Sequence, residues 1–538
     1  MAATLTRTAD DIDREALLAA APGVEVAFRG DSADYRAARV KGSYLHADFP
    51  SAVAKPSTPE EVALLLKFAK ERQIKISILG GGHSSLSMKG QLVISMRKMS
   101  TVVVDPEAMT VKIGGGCLIK QVDEACAPHG IACVLGNAYT VGAAGLVSGG
   151  GYGHLARWKG LAIDHMLAAT LVLADGSVVE CSAGSAEHAD LFWALRGGGA
   201  QFGVLVSFTL RAIKIGWDDA KGKGRIYGGM RIIRNGKGFP FGNGVGNSVE
   251  LLKRWRDYCL RAPNEVSAAT IMPFGAPIMV QEYNFKGELA AAKEEAKQWK
   301  ANGRGVVSMF KMRSYFSDTQ QFVGKMEEKE AKKGGVPQRL LNTIVRAVRI
   351  ERMSFLPSCC SLLADHQVDR FLCSQAAKLP DEAIEVLAHA ASKGAPKGIG
   401  QGAFIIFPLG GKIARPDEGE EATAFSQRDA AFWIVCSATY AKSGKEPTPK
   451  QVQTLDAWIE DLATKLKPLV LSPTVGAICR GAPFKAGMGF KQAAGGSVFS
   501  EAKMTKLLAV KGKYDPDNVF FAVENGMSNA HSVHASSV

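Results

Sequence analysis

The sequence predicts an α+β fold, and three observations carry the prediction. Glycine runs at Gly80–Gly82 and Gly149–Gly153 follow strand-like and helix-like segments. The first 210 residues or so alternate short apolar strands with helices. Beyond Gly216 the strands and amphipathic helices also mix, a pattern that suits a sheet backed by helices. With 538 residues the chain exceeds one ordinary core and allows two large domains.

Residues 1 to about 50 read as a lead-in with a short helix over Ile12–Ala20. Pro56-Ser57-Thr58-Pro59-Glu60-Glu61 opens a clear helix: Thr58 as N-cap, Pro59 in the first turn, Glu61 closing a capping box. Val62, Leu65, Leu66 and Ala69 fall on one helical face. Ile74–Leu79 reads as a strand entering the first glycine loop. Strands follow at Leu92–Ser95, Thr101–Val104 and Thr110–Ile113, then a helix over Leu118–Ala127 stopped by Gly130. Val141–Ser148 looks helical. Met166–Leu173 is an apolar strand, Asp175-Gly176 a hairpin turn, and Val178–Cys181 its return. A helix over Ala186–Leu195 ends at Gly197–Gly199, and Phe202–Arg211 alternates as a strand.

Asp218–Asn247 is rich in Gly and Lys and reads as a linker or surface excursion. Helices are predicted at Ser248–Ala262, Glu288–Ala301 and Gln451–Leu466. Strands are predicted at Ala268–Phe274, Ile278–Tyr283, Phe404–Phe407 and Ala431–Tyr440. The small, polar residues 528–538 read as a disordered tail.

Composition narrows the function. Net charge is +13 and the isoelectric point is near 9.2. The basic residues are scattered and do not interleave with aromatics, so they read as a solvated face and not as a nucleic-acid groove. No apolar run reaches the roughly 18 residues of a membrane span. The first 21 residues carry acids and lack a secretory pattern. Ten cysteines without zinc spacing read as buried thiols in a reducing, cytoplasmic setting, with no metal site.

The glycine runs point to a ligand. Glycine lets a backbone take positive φ and lie close to what it binds, and bare N–H groups suit a pyrophosphate. Two such runs suggest two walls of one slot, holding a flavin dinucleotide with His83 beside its ring. Gly151-Tyr152-Gly153 followed by Ala156 imitates a nicotinamide fingerprint. That fingerprint needs glycines directly after a strand, and here a helix precedes them.

Leu79–Ser85, Thr140–Gly153, Asp190–Gly199 through Phe202-Gly203-Val204, and Tyr514-Asp515-Pro516-Asp517-Asn518-Val519-Phe520 with Asn525 resemble FAD-linked oxidases of the vanillyl-alcohol oxidase type. Within them the likeness is to the berberine-bridge-enzyme-like group. The resemblance implies a two-part PCMH-type FAD-binding domain built from both chain ends, with an inserted antiparallel-sheet substrate domain over the isoalloxazine. It divides the chain into a lead-in (1–45), an FAD domain (46–215), the linker (216–247), a substrate domain (248–490) and a returning C-terminal segment (491–527). FAD contacts are expected at Gly80, Gly81, Gly82, His83, Ser84, Thr140, Val141, Gly142, Gly145, Ser148, Gly149, Gly151, Tyr152, Gly203, Val204 and Asn525.

The resemblance further implies an 8α-histidyl bond from FAD to His83; a histidine beside FAD without a bond is the alternative. Many relatives add a cysteinyl tether where this chain has Ala138. Leu79 replaces a usual arginine. Val141 occupies a position associated with oxygen access. The expected reaction is hydride removal from an alcohol, sugar or secondary metabolite, with O₂ taking the electrons. A redox-neutral reaction on the same fold, a structural FAD and a basic non-enzymatic binding protein are the rivals. A departing hydroxyl proton needs a base. On the strand after Thr423–Asp429 the expected polar position is Val435. The candidates left are Tyr152, His154, Asp429 and Tyr440. Arg428 reads as a surface arginine or an anion contact.

Overall fold

The computed structural model describes residues 12–30, 34–38, 50–83, 91–199, 201–219, 221–233, 245–274, 278–285, 289–297, 306–316, 368–376, 378–394, 396, 399–426, 428–440, 448–469 and 499–520. The tail at 528–538 lies outside them.

The chain begins with α1 (Arg14–Ala20), β1 (Glu25–Phe28), α2 (Asp34–Ala38) and β2 (Ala52–Lys55), then α3 (Pro59–Glu71), β3 (Ile76–Leu79) and β4 (Leu92–Ser95). These strands form a four-stranded sheet ordered β1-β2-β4-β3, parallel except for the β1–β2 pair. The expected lead-in is therefore corrected. β1 is an edge strand of this sheet, and Leu17, Val24 and Phe28 share a core with Val62, Leu65 and Leu66 of α3. In α3 the Thr58 hydroxyl accepts from the Glu61 amide, as its spacing predicts. Glu61 reaches one residue further back, accepting from the amide and hydroxyl of Ser57.

Next come β5 (Val102–Asp105), β6 (Thr110–Gly114), α4 (Ile119–Cys126), β7 (Ile131–Ala132), α5 (Ala143–Ser148) and α6 (Ala156–Lys159). β8 (Met166–Val172), β9 (Val178–Ser182), α7 (Ala189–Gly198), β10 (Val204–Arg211) and β11 (Ile213–Lys214) complete the region. Here a five-stranded antiparallel sheet runs β5-β6-β10-β8-β9.

The remaining described chain holds β12 (Trp217–Asp219), β13 (Gly222–Ile233), α8 (Val245–Arg261), β14 (Val266–Pro273), β15 (Ile278–Asn284), α9 (Leu289–Glu295), β16 (Val306–Ser314), β17 (Val368–Ala376), α10 (Asp381–Lys393), β18 (Ile399–Pro408), β19 (Phe432–Tyr440), α11 (Pro449–Leu466) and α12 (Glu501–Tyr514). Eight strands form one antiparallel sheet, β12-β13-β15-β14-β18-β19-β17, with β16 on β13. The predicted linker is thus corrected in its first half. β13 is a twelve-residue strand paired with β15 and β16. Its glycines serve close strand approach: a β-carbon at Gly228 would stand 2.2 Å from the Glu282 carbonyl oxygen, and one at Gly229 2.1 Å from that of Met309.

Strand alternation gives this sheet two faces. Phe404, Ile406, Phe432, Ile434 and Cys436 pack under α8, α10 and α11 with Trp255, Leu387 and Leu455. Ala403, Ile405, Trp433 and Val435 face the other way, into the core shared with Tyr152, Leu155 and Ala162. α12 lies on α7, where Leu507 and Val510 join that same core.

Buried cations bolt the sheet to the first half. Arg157 donates to the carbonyls of Ala262, Val266 and Leu409. Arg428 is 1% exposed, not a surface residue. It grips Asp164 through both terminal nitrogens (3.1 and 2.6 Å) and also donates to Ile413 O and Thr423 Oγ1.

Candidate active site

The two glycine loops meet. A β-carbon on Gly81 would lie 2.1 Å from the backbone nitrogen of Gly142 and 2.6 Å from the Thr140 carbonyl oxygen; one on Gly142 would lie 2.4 Å from the nitrogen of Gly81. The loops therefore touch edge to edge at this point, where opposed walls were expected. Gly145 has nothing within 4 Å of a built β-carbon, and Gly80 only the Cα of Gly142 at 4.0 Å, so these positions open outward.

Other predicted contacts are glycines for a different reason. A β-carbon built on Gly151, at φ +77°, would stand 2.4 Å from the Ala162 Cβ; one on Gly153 would stand 1.8 Å from the Leu135 carbonyl oxygen, and one on Gly203 2.9 Å from that of Val172. These glycines let the chain pack on itself. Ser148 is buried and bonds to Gly145 O, Gly149 ends α5 through Leu146 O, and Val204 belongs to the core of the first sheet. Ser84 and Asn525 lie outside the described residues.

His83 is half-buried at the end of the first loop, just after Gly82 at φ +77°. Its Nε2 lies 2.8 Å from the Thr140 hydroxyl on the second loop. Burial pushes the imidazole down to about 4; the Thr140 main-chain oxygen opposes this, and nearby Arg97 adds to it. The ring is neutral at pH 7. Arg97, following β4, donates from Nε to Gly80 O at 3.2 Å. It brings a guanidinium to the loop where Leu79 stands in place of the expected arginine. Sequence reasoning missed it because it lies on a different element.

Ala138 offers no thiol. Cys133 is 1% exposed, and contact with Cys126 together with burial pushes its pKa well up, so it is packing. Among the described residues no cluster of three or more His, Cys, Asp or Glu could hold a metal ion.

The four base candidates fare differently. Tyr152 is buried; its hydroxyl donates to Pro408 O at 3.1 Å, and burial raises its pKa. Its ring meets Phe407 and Trp433 edge-on. A phenol so engaged cannot readily take a proton. His154 is also buried, and its pKa is lowered to about 4 by burial alone. Its Nδ1 lies 3.3 Å from Ser267 Oγ, and its ring is edge-on to Tyr283 at 5.1 Å. Asp429 is exposed in the turn before β19, away from the core face. Tyr440 ends β19, the far end from Trp433, and its side chain lies outside the description.

The polar groups that do reach this face were not singled out from the sequence. Ser267 and Tyr283 are direct cross-strand partners beneath His154. Gln281, two residues along β15, donates to the Tyr283 hydroxyl at 2.7 Å. Their period-two spacing was the available signal. Trp433 Nε1 is a buried donor with no hydrogen-bond partner, a group that a polar ligand would satisfy.

The outward-facing glycine positions, the neutral imidazole, the Arg97 guanidinium and this orphan donor fit a flavin dinucleotide. The comparisons agree. A family model described as an FAD binding domain matches residues 50–182. The chain carries an FAD-binding domain on the fold of PCMH-type oxidases. Solved structures that share this fold include berberine-bridge-enzyme-like proteins. The wild-type berberine-bridge-like protein 1 of Physcomitrella patens superposes with a TM-score of 0.72 at 21% identity, over 94% of this chain and 97% of that one. 6-Hydroxy-D-nicotine oxidase from Arthrobacter nicotinovorans gives 0.69 at 22%, over 93% and 96%. Glucooligosaccharide oxidase from Acremonium strictum, described as carrying a 6-S-cysteinyl, 8α-N1-histidyl FAD, gives 0.70 at 22%, over 94% and 97%.

Among curated sequences, (R)-6-hydroxynicotine oxidase of Paenarthrobacter nicotinovorans is 34% identical over 32% of this chain and 37% of its own. An FAD-linked oxidoreductase of Dictyostelium discoideum is 24% identical over 88% and 87%. The chain spans little more than a third of the length of the first curated relatives it matches.

Proposed function

We propose that the protein is an FAD-dependent oxidoreductase acting as an oxidase on a small-molecule alcohol, sugar or amine-bearing metabolite, with O₂ as the electron acceptor. The observation that carries this reading is the meeting of the two glycine loops at Gly81 and Gly142, which brings His83 and Thr140 together. Relatives described as oxidases of a hydroxynicotine and of glucooligosaccharides support the reaction class.

In this reading the Gly80–Gly82 and Thr140–Gly145 loops hold the cofactor through backbone groups, Arg97 supplies positive charge, and His83 is its covalent anchor. FAD, when bound, supplies the capacity to accept a hydride. The chain does the rest. The aromatic wall of Phe407 and Trp433, stacked at 5.1 Å, excludes water. The Ser267, Gln281 and Tyr283 groups orient polar parts of the substrate. Domain limits follow this division in corrected form: the region from α1 through β11, with α12 returning to it, holds the cofactor, and the eight-stranded sheet covers it.

The test is the colour and chemistry of purified protein. A flavin spectrum that survives acid precipitation, a flavin mass on the His83 peptide, and peroxide release with a sugar, alcohol and cyclic-amine panel are expected. Colourless protein after expression in flavin-replete cells refutes the reading.

A further inference from the structure

His83 and Thr140 are 57 residues apart in sequence, yet Nε2 and Oγ1 stand at 2.8 Å. The loops that carry them are in backbone contact, so this pairing is built in and needs no closure around a ligand. That contact engages Nε2 and does not involve Nδ1. We propose that Thr140 is the positioning residue for flavin attachment: its hydroxyl holds His83 through Nε2, presents Nδ1 to the 8α-methyl carbon of FAD, and relays the imidazole proton that attachment releases, taking it from Nε2 as it gives up its own. The inference rests on the flavoprotein reading above.

The atoms balance through that hydroxyl. Attachment breaks one C–H bond of the 8α methyl and forms a bond from that carbon to Nδ1. One hydrogen leaves the carbon and the other leaves Nε2. The electron pair passes through the flavin to dioxygen, which with the two protons becomes hydrogen peroxide. Nε2 is thus an N–H donor before the step and a bare acceptor after it. A hydroxyl serves both states, accepting first and donating afterwards, whereas a carbonyl serves only the first. The neutral imidazole supports the scheme, since a protonated ring has no lone pair to offer.

The rival holder is the Thr140 main-chain oxygen, which also favours an N–H on the ring. Side-chain replacement separates the two, because it leaves that oxygen in place. The wild-type holoprotein, Thr140→Val and Thr140→Ser are purified from the same flavin-replete host. Total flavin is read by absorbance. The covalent fraction is read as flavin retained after acid precipitation and as the mass of the His83 peptide, and the linked nitrogen is assigned by NMR of that peptide. Thr140→Ala repeats the comparison if the valine variant precipitates.

Expected are attachment through Nδ1 in the wild type, a serine variant within about twofold of it, and a valine variant that is yellow but at least tenfold lower in covalent fraction. A valine variant that attaches flavin as fully as wild type overturns the proposal, as does linkage through Nε2. Wild-type protein holding FAD without any bond also overturns it while leaving the flavoprotein reading intact. Wild-type protein with no flavin at all refutes that reading itself.

Discussion

A β-carbon built on Gly81 stands 2.1 Å from the backbone nitrogen of Gly142, closer than any real side chain tolerates. The smallest substitution must therefore part the two loops. Gly81→Ala is expected to separate His83 from Thr140, reduce bound flavin at least tenfold, and cost about 1–3 kcal/mol of stability through overpacking. Gly145→Ala is the matched control, because nothing lies within 4 Å of its β-carbon. It should leave melting unchanged or slightly raised, while weakening flavin retention through the approach it blocks. Thermal melts and flavin absorbance on both variants check the pair.

Arg157 holds three carbonyls from two segments of the eight-stranded sheet region, Ala262, Val266 and Leu409, while 7% exposed. Truncation to Ala leaves those oxygens without partners in a dry interface. At about 1–3 kcal/mol for each buried group left unsatisfied, Arg157→Ala is expected to destabilise by at least 3 kcal/mol. Arg157→Lys should recover only part, since one ammonium cannot match a planar fork. Denaturant unfolding with a sheet-side and a flavin-side probe gives both magnitudes, and coincident transitions would show that the two halves unfold together.

How much of this was legible in the sequence depends on the range of each interaction. α3 could be read almost to the residue, because Thr58, Glu61 and the apolar spacing act within one or two turns. The loops and His83 were legible as motifs. Their contact was not, because glycine composition does not say whether a missing side chain leaves open space, as at Gly145, or makes room for the chain itself, as at Gly153. β13 was misread as linker because its glycines and lysines lower strand propensity; pairing on both sides overrides that. Arg428 looked like a surface residue because its partner Asp164 is 264 positions away. Arg97 and the Ser267–Tyr283 pair escaped notice for the same reason: they reach the site only through tertiary pairing.

His154 makes stability fall in acid. Its folded pKa is lowered to about 4 from an ordinary 6.5 by burial. Between those values the unfolded chain takes up a proton that the folded chain refuses, so the unfolded state binds more protons and stability rises with pH. The contribution is fully present above about pH 6.5 and is lost as pH falls towards 4. A shift of this size is worth on the order of 3 kcal/mol. His154→Phe should flatten the pH dependence of the unfolding free energy across that window, with Ser267 losing its ring partner as a small offset. An unchanged slope in the variant contradicts the assignment.

Lys511 and Asp515 close the C-terminal turn from inside. Lys511 Nζ lies 2.5 Å from Asp515 Oδ2 and donates to Gln201 O and Phe520 O; Asp515 in turn accepts from the amides of Val519 and Phe520. Both side chains are buried, and burial lowers the Lys511 pKa against the pull of its partner. Removing one charge strands the other, which in buried pairs costs about 3–5 kcal/mol, whereas replacing both by apolar groups is often far milder. Asp515→Ala is therefore expected to lower stability by that amount. The double variant Lys511→Met, Asp515→Leu should be more stable than Asp515→Ala alone. A double-mutant cycle by denaturant unfolding separates the ion pair from what each side chain contributes alone.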